Sequence, residues 1–438
     1  MPSLIPYPHC LTHRMSICRP LSPSTSVPPE IWLQIFRTAT HIPGEGDVSA
    51  TTPHPGMFTS WDLLQWKAHR VVLPLRRTIV QVSRLWWEVG SEVLYASFHE
   101  TELYHHPPMS ALDYFERSLL SRPAFGRFVK RLALRWPRKR DSSQIDHVLQ
   151  LCPNTLILSF YYADASYRCP WEPSILFDHV RILDASVYGL SQKVLVQMLS
   201  SLLGLEILHL SGLERGLEES RCDGTLRLPS VRLLSLSFKD QQGIEYWTPL
   251  FSTTDLPRLT SFSMNPGRAP LPFPIDIWRR ITSFRYFIGI HDALTPEFFR
   301  SLAPLHWGIG AQSLEGQQGH SPFHRLHHLT ISSCGIPYNS VRKWKQIAEG
   351  YLALPLNRSE MPLLRVLELE WGPYGIHGNF ILMSEHRQYM SFLHYLESAT
   401  LEFERLGVQF QEVYERNIYC MSTPMSDVIK NARDKMRI

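Results

Sequence analysis

The sequence predicts an α/β chain: a small helical module followed by a solenoid of short-strand repeats. Three observations predict it. One short helical segment near the N-terminus carries two apolar stripes. An apolar unit of fixed internal spacing recurs from about residue 125. That unit returns at intervals in the twenties of residues, a period of stacked repeats. The expected organisation is a disordered tail at 1–25, a helical module at 26–98 with an inserted loop at 41–60, a repeat region at 125–380 and a helical cap at 381–438.

Composition supports a folded chain. Of 438 residues, 44% are hydrophobic and 19% charged, enough to bury a large core and too apolar for general disorder. The net charge of +4 does not by itself indicate a nucleic-acid binder. The cysteines are Cys10, Cys18, Cys152, Cys169, Cys222, Cys334 and Cys420, an odd number at wide spacing. That is no disulfide framework and fits a reducing compartment. No stretch reaches the roughly 18 uncharged apolar residues of a membrane span. Residues 1–26 lack the apolar segment of a secretory signal. A cytoplasmic or nuclear location is expected. The tail holds Pro2, Pro6, Pro8, Pro20 and Pro23 and no acidic residue.

The first helix is expected over 26–40. Ser26 can cap it, Pro28 and Pro29 fit its first turn, and Glu30 complements the positive end of the dipole. Ile31, Ile35 and Ala39 form one stripe, and Trp32 and Phe36 a second beside it. A helix wedged in a core would show this. So would a helix that packs one stripe inward and offers the other to a partner. Residues 41–60 hold three prolines and three glycines and read as a loop. Helical patterns return at 61–77 and 78–98. In the latter, Val82, Leu85, Trp86, Val89 and Val93 form a stripe.

These residues carry a resemblance. The run Val27-Pro28-Pro29-Glu30-Ile31-Trp32-Leu33-Gln34-Ile35-Phe36 resembles the opening of an F-box. Val82-Ser83-Arg84-Leu85-Trp86 is similar to the later Val-Cys-Arg-x-Trp of that motif, with Ser83 in place of the cysteine. Leu94-Tyr95 suits its closing hydrophobic pair. The inserted loop is the main departure from the compact motif. The resemblance is to fungal F-box proteins, and it implies contact with a Skp-family adaptor. The residues it points to are Pro28, Pro29, Glu30, Ile31, Ile35, Phe36, Val82 and Trp86.

The repeat unit is an apolar residue, two others, an apolar residue, one other, an apolar residue. It reads Val129-Leu132-Leu134, Pro153-Leu156-Leu158, Val180-Leu183-Ala185, Leu205-Leu208-Leu210 and Val231-Leu234-Leu236. It continues as Leu259-Phe262-Met264, Ile281-Phe284-Tyr286, Leu326-Leu329-Ile331 and Leu364-Leu367-Leu369. Middle residues are 24, 27, 25, 26, 28, 22, 45 and 38 apart. A worn copy at Leu302-Leu305-Trp307 would divide the interval of 45, and a helix near 338–352 fits within that of 38. Such periods are those of leucine-rich repeats, whose units bury their apolar faces only by stacking. Unrelated strands of an α/β domain are the alternative. The family's usual Asn or Cys after the unit occurs once, as Cys334, so the expected solenoid is irregular. A helix is expected over 384–418 and a short basic one over 425–436.

No nucleophile elbow, phosphate-binding glycine loop or Cys-x-x-Cys pair is present, so a non-enzyme without cofactor is expected. His320, His324, His327 and His328 cluster, but Pro322 interrupts them and no cysteine or carboxylate is close in sequence. Residues 127–140 hold seven basic residues, which fits a nucleic-acid patch or a solvated turn.

An F-box before such repeats resembles the F-box/leucine-rich-repeat receptors of ubiquitin ligases. The expected function is therefore the substrate-recognition subunit of a Skp–cullin–F-box ligase. Its partners would be the adaptor, through it a cullin, and an unidentified protein target. The alternatives are a ligase-independent protein-binding scaffold and a nucleic-acid-binding repeat protein. Strand residues between the apolar positions should face the concave side. The first strand offers Arg131, Ala133 and Arg135. The middle strands offer Ser186, His209, Ser211, Ser235, Ser237, Ser261, Ser263, Asn265 and Ser283. The last offers Val366, Glu368 and Glu370. The expected target contacts are Arg131, Arg135, His209, Ser235, Asn265, Glu368 and Glu370, basic at one end and acidic at the other.

Overall fold

The computed structural model describes residues 27–41, 61–100, 111–135, 142–161, 176–188, 190–215, 226–265, 275–287, 324–332, 361–370, 386–416 and 419–436. The tail at 1–25, loop residues 42–60, the worn copy at 302–307 and the helix expected near 338–352 lie outside them.

Three helices come first: α1 (Pro29–Ala39), α2 (Trp61–Val82) and α3 (Arg84–Tyr95). Pro28, not Ser26, is the N-cap of α1, and no side chain caps it. The break between α2 and α3 falls at Ser83 rather than between 77 and 78. Ser83 is the N-cap of α3, and its hydroxyl accepts from the Trp86 amide at 3.2 Å. Ser83, which stands where the resembled motif has a cysteine, thus starts the helix. Among the described residues, no helix is long and apolar enough to cross a membrane.

Twelve strands form one sheet in chain order, β1 (Ser97–His99), β2 (Arg131–Arg135), β3 (Ile157–Tyr161), β4 (Ile182–Ser186), β5 (Ile207–Leu213), β6 (Leu233–Phe238), β7 (Ser261–Asn265), β8 (Ser283–Phe287), β9 (His328–Ser332), β10 (Val366–Glu370), β11 (Gln409–Arg416) and β12 (Tyr419–Pro424). The first eleven pair in parallel, and β12 is antiparallel to β11. The sheet is open, with no pairing of β12 to β1 among the described residues.

Parallel neighbours need a crossover of a dozen residues or more. Between β1 and β2 run α4 (Ala111–Ser121) and a 3-10 turn (Pro123–Phe128). Helices α5 (Ser142–Leu151), α6 (Gln192–Ser200) and α7 (Gln241–Thr253) follow β2, β4 and β6, and the short α8 (Ile275–Trp278) follows β7. Their apolar sides share one core with one face of the sheet. On that face Leu132, Leu158, Leu183, Leu208, Leu234, Phe262, Phe284, Leu329, Leu367 and Phe410 align strand by strand. The file is the middle position of the repeat unit.

Three expectations about the repeats are corrected. The ladder begins at Ser97, ahead of residue 125. In the second unit Leu158, not Leu156, aligns with Leu132. The fully buried Thr155 takes the position that Val129 or Val180 takes elsewhere, while Pro153 is exposed in a turn. A search for apolar residues alone therefore slides that unit by two positions. And β8 bonds directly to β9, so the long interval between them adds no strand to the ladder there.

The C-terminal expectation also changes. Helix α9 (His386–Arg405) ends where the Gly407 amide bonds the Glu404 carbonyl and the Val408 amide bonds the Phe403 carbonyl. Gly407, at φ 70°, supplies the left-handed residue that this ending requires. The chain then enters β11 and β12, so 406–416 and 419–424 are not helical. Helix α10 (Met425–Met436) buries Met425, Val428, Ile429 and Ala432.

Gly212, also left-handed at φ 67°, lies in β5, where a Cβ would stand 2.5 Å from the Tyr188 ring. At Gly407 a Cβ would meet nothing within 4 Å. Gly212→Ala should therefore cost more than about 1 kcal/mol, and more than Gly407→Ala. Urea unfolding midpoints of the two variants check this. Equal losses would show that the Tyr188 contact is not what constrains the site.

Candidate protein-binding surfaces

Helix α1 is divided lengthwise. Trp32, Leu33 and Phe36 face α2 and α3 and join Ile79, Trp86, Val89 and Val93 in a small core. Trp86 stands 4.8 Å from both the Trp32 and the Phe36 ring centroids. The other stripe points to solvent, with Ile31 51% and Ile35 46% exposed. Pro28, Pro29 and Glu30 are exposed beside it. Val82 (56%) and Leu85 are exposed at the α2–α3 junction, and Val71 and Leu75 along α2. Exposed apolar residues scattered singly are ordinary, but this three-helix module carries seven, Val27 included.

Of the residues expected to meet an adaptor, one is therefore corrected. Phe36 is only 2% exposed and holds α1 to α3, so it cannot reach a partner without unpacking the module. Trp86 is part-buried against it. Val71 and Leu75 carry no signal in the sequence analysis, and Leu85 enters it only as a member of the helical stripe. The N-cap at Ser83 separates Val82 from that stripe.

The module is fastened to the sheet through buried polar groups. The Arg76 guanidinium donates to the Thr40 carbonyl at 3.0 Å and to the Ser97 hydroxyl at 3.3 Å. Ser97 also contacts His69 Nδ1 at 3.2 Å, and the His69 and His99 rings stack at 4.2 Å. An Arg37–Glu92 ion pair joins α1 to α3 at the surface.

The second face of the sheet differs from the expected polar gradient. One file on it is apolar: Ile157, Ile182, Ile207 and Leu233 form their own buried cluster. The next file runs Ala133, Ser159, Asp184, His209, Ser235, Ser263, Arg285, Thr330, Glu368 and Gln411. One expected charged residue at each end is interior. Arg131, in the apolar file, is 1% exposed, with Nη2 3.4 Å from the Ser159 hydroxyl. Glu368 is fully buried and accepts from Thr330 at 3.0 Å and Gln411 at 2.5 Å, with His328 Nε2 at 2.8 Å. Ser235 is buried too. These three are corrected from target contacts to interior groups. A buried carboxylate needs such partners, because its desolvation is otherwise prohibitive. Part-exposed residues of this face include Asp184, Ser186, His209, Ser211, Ser237, Ser261 and Ser283. The side chains of Arg135, Asn265 and Glu370 lie outside the described residues.

No group of three or more metal-ligating side chains occurs among the described residues. His320 lies outside them, and His328 meets Glu368 rather than the neighbouring histidines. Burial pushes the Cys152 thiol up to about 12, which leaves it unreactive. No family model matches the chain, and no curated protein matches it either.

Desolvation holds three imidazoles neutral. His69 is pushed down to about 3 by burial, then by Arg76. His209 is pushed down to about 4 by burial, then by Arg285. His99 is lowered well below 6.5 by burial, then by His69. Unfolded histidine titrates near 6.5, so the unfolded chain takes up protons first as pH falls. Stability should be complete above about pH 6.5 and decline from there toward pH 4. Urea midpoints across that range should fall, and less steeply when His69 and His99 are replaced by Gln. A flat profile in the unsubstituted protein would contradict this.

Proposed function

We propose that the chain is the substrate-recognition subunit of a Skp–cullin–F-box ubiquitin ligase. The carrying observation is the divided α1 helix: Trp32 and Phe36 packed inward, Ile31 and Ile35 left bare. That division falls on the run that resembles an F-box opening. Bare isoleucines on a rigid helix suit insertion into an apolar groove of a helical adaptor. Fully burying one such side chain contributes about 1.5–3 kcal/mol. The in-order parallel ladder supports reading β1–β11 as an irregular leucine-rich-repeat solenoid that presents a protein target.

In this reading the chain performs no bond chemistry. It holds a target near the transferring subunits, which reach it through the adaptor and a cullin. The gain is one of proximity and orientation. The nucleic-acid alternative weakens, because Arg131, Leu132 and Leu134 of the basic 127–140 segment are interior residues.

Replacing Ile31 and Ile35 together by Ala should weaken binding of a purified Skp-family adaptor by about 2 kcal/mol or more, close to thirtyfold. The melting temperature should hardly move, because both side chains are exposed. Phe36→Ala should instead destabilise the module by about 3–5 kcal/mol. Titration calorimetry beside thermal melts separates the two. Unchanged adaptor affinity in the folded Ile31/Ile35 variant would remove the reading.

A further inference from the structure

Because β2–β11 are parallel, every loop that enters a strand reaches the same edge of the sheet. That edge is rich in arginine. Arg227 precedes β6, Arg258 β7, Arg325 β9 and Arg365 β10, and all four are exposed. None of the four makes an ion pair among the described residues. Beside them Arg181 and Arg232 share one carboxylate, Glu206, at 3.9 and 3.4 Å.

The same edge carries exposed leucines. Leu176, Leu203 and Leu363 are the exposed large apolar residues of the strand-entry loops among the described residues. Leu176 and Leu203 sit in adjacent loops, joined by the Phe177 amide on the Ser201 carbonyl at 2.7 Å. The Arg181 guanidinium bonds the Gly204 carbonyl at 3.1 Å, which holds a cation next to that pair.

From this juxtaposition we infer that the strand-entry edge binds an extended polypeptide segment bearing acidic and leucine-like side chains. Arginine predominates, and its planar fork suits carboxylates. Phosphate polymers fit less well. The exposed Asp178, Asp255 and Asp276 interrupt the edge, and a uniform phosphate backbone would be repelled there. The exposed apolar residues of these loops are aliphatic, so they offer no platform for stacking bases. From β4 to β10 is six strand intervals, about 29 Å along the ladder, which an extended segment of about nine residues spans. The inference rests on the reading of the sheet as a target-binding unit, and it moves the contact from the sheet's second face to its edge.

The test uses the full chain and a fluorescein-labelled peptide of glutamate and leucine, about twelve residues long so as to cross the ladder. An oligothymidylate of equal charge serves as the competitor. Fluorescence anisotropy should show the peptide bound more tightly than the oligonucleotide. Reversing Arg227, Arg258, Arg325 and Arg365 to Glu should weaken peptide binding at least tenfold. Leu176→Asp with Leu203→Asp should weaken it several-fold. If charge reversal unfolds the chain, the Arg→Gln set replaces it, with melts as the control. Tighter binding of the oligonucleotide overturns the inference. So does peptide affinity that is insensitive to the arginine changes, or absent up to about millimolar concentration. Adaptor affinity is measured on the same variants. If it is retained while the edge fails, the ligase reading stands and only the edge is wrong. If it is absent in the unsubstituted chain, that reading fails on its own.

Discussion

In-register parallel pairing is the constraint on which the structure depends. A five-residue strand such as Ile182–Ser186 buries little by itself. Stacked, it sets Leu183 between Leu158 and Leu208 and closes a continuous apolar file. The described helices cover that file from one side, because their crossovers return to the same face. Two consequences follow. Strand-entry loops collect on one edge, far apart in sequence and close in space. Residues of alternate parity collect on the second face, where Arg285, Thr330 and Glu368 become neighbours.

The helical module extends this order rather than hanging beside it. Tyr95 ends α3, and Ser97 begins β1 within two residues. Arg76 spans the junction, fixing the end of α1 to the first strand. Its buried charge makes the junction demanding: removing one partner leaves the guanidinium unsatisfied. A rigid junction suits a receptor that must hold a target at a set distance from bound machinery, as proposed. It leaves the Ile31–Ile35 stripe outside, since the module's core is complete without it.

Much of the fold was legible because it follows from spacing. The two stripes of α1 separated as their positions indicated, and eight of the nine repeat units aligned as read. The exception, the second unit, differs because Thr155 stands at the position that is apolar in its neighbours. The C-terminal strands failed because Gly407 was passed over as a helix end. The site was less legible. Period-two alternation tells which face a strand residue takes, not how deep it sits. Arg131, Ser235 and Glu368 had the right parity for an outer face and are interior. Phe36 was assigned to a partner because a motif names it together with Ile35, whereas packing divides the two. The arginine edge left no local signal, since its members are spread from Arg181 to Arg365.

The central claim is that the helical module meets the adaptor while the sheet is left free for a target. Hydrogen exchange of the full chain with and without a purified Skp-family adaptor tests it most directly. The account predicts added protection in 27–40 and 82–89, with the amides of β3–β10 unchanged. Protection centred on the sheet, or no change in the module at saturating adaptor, would contradict it.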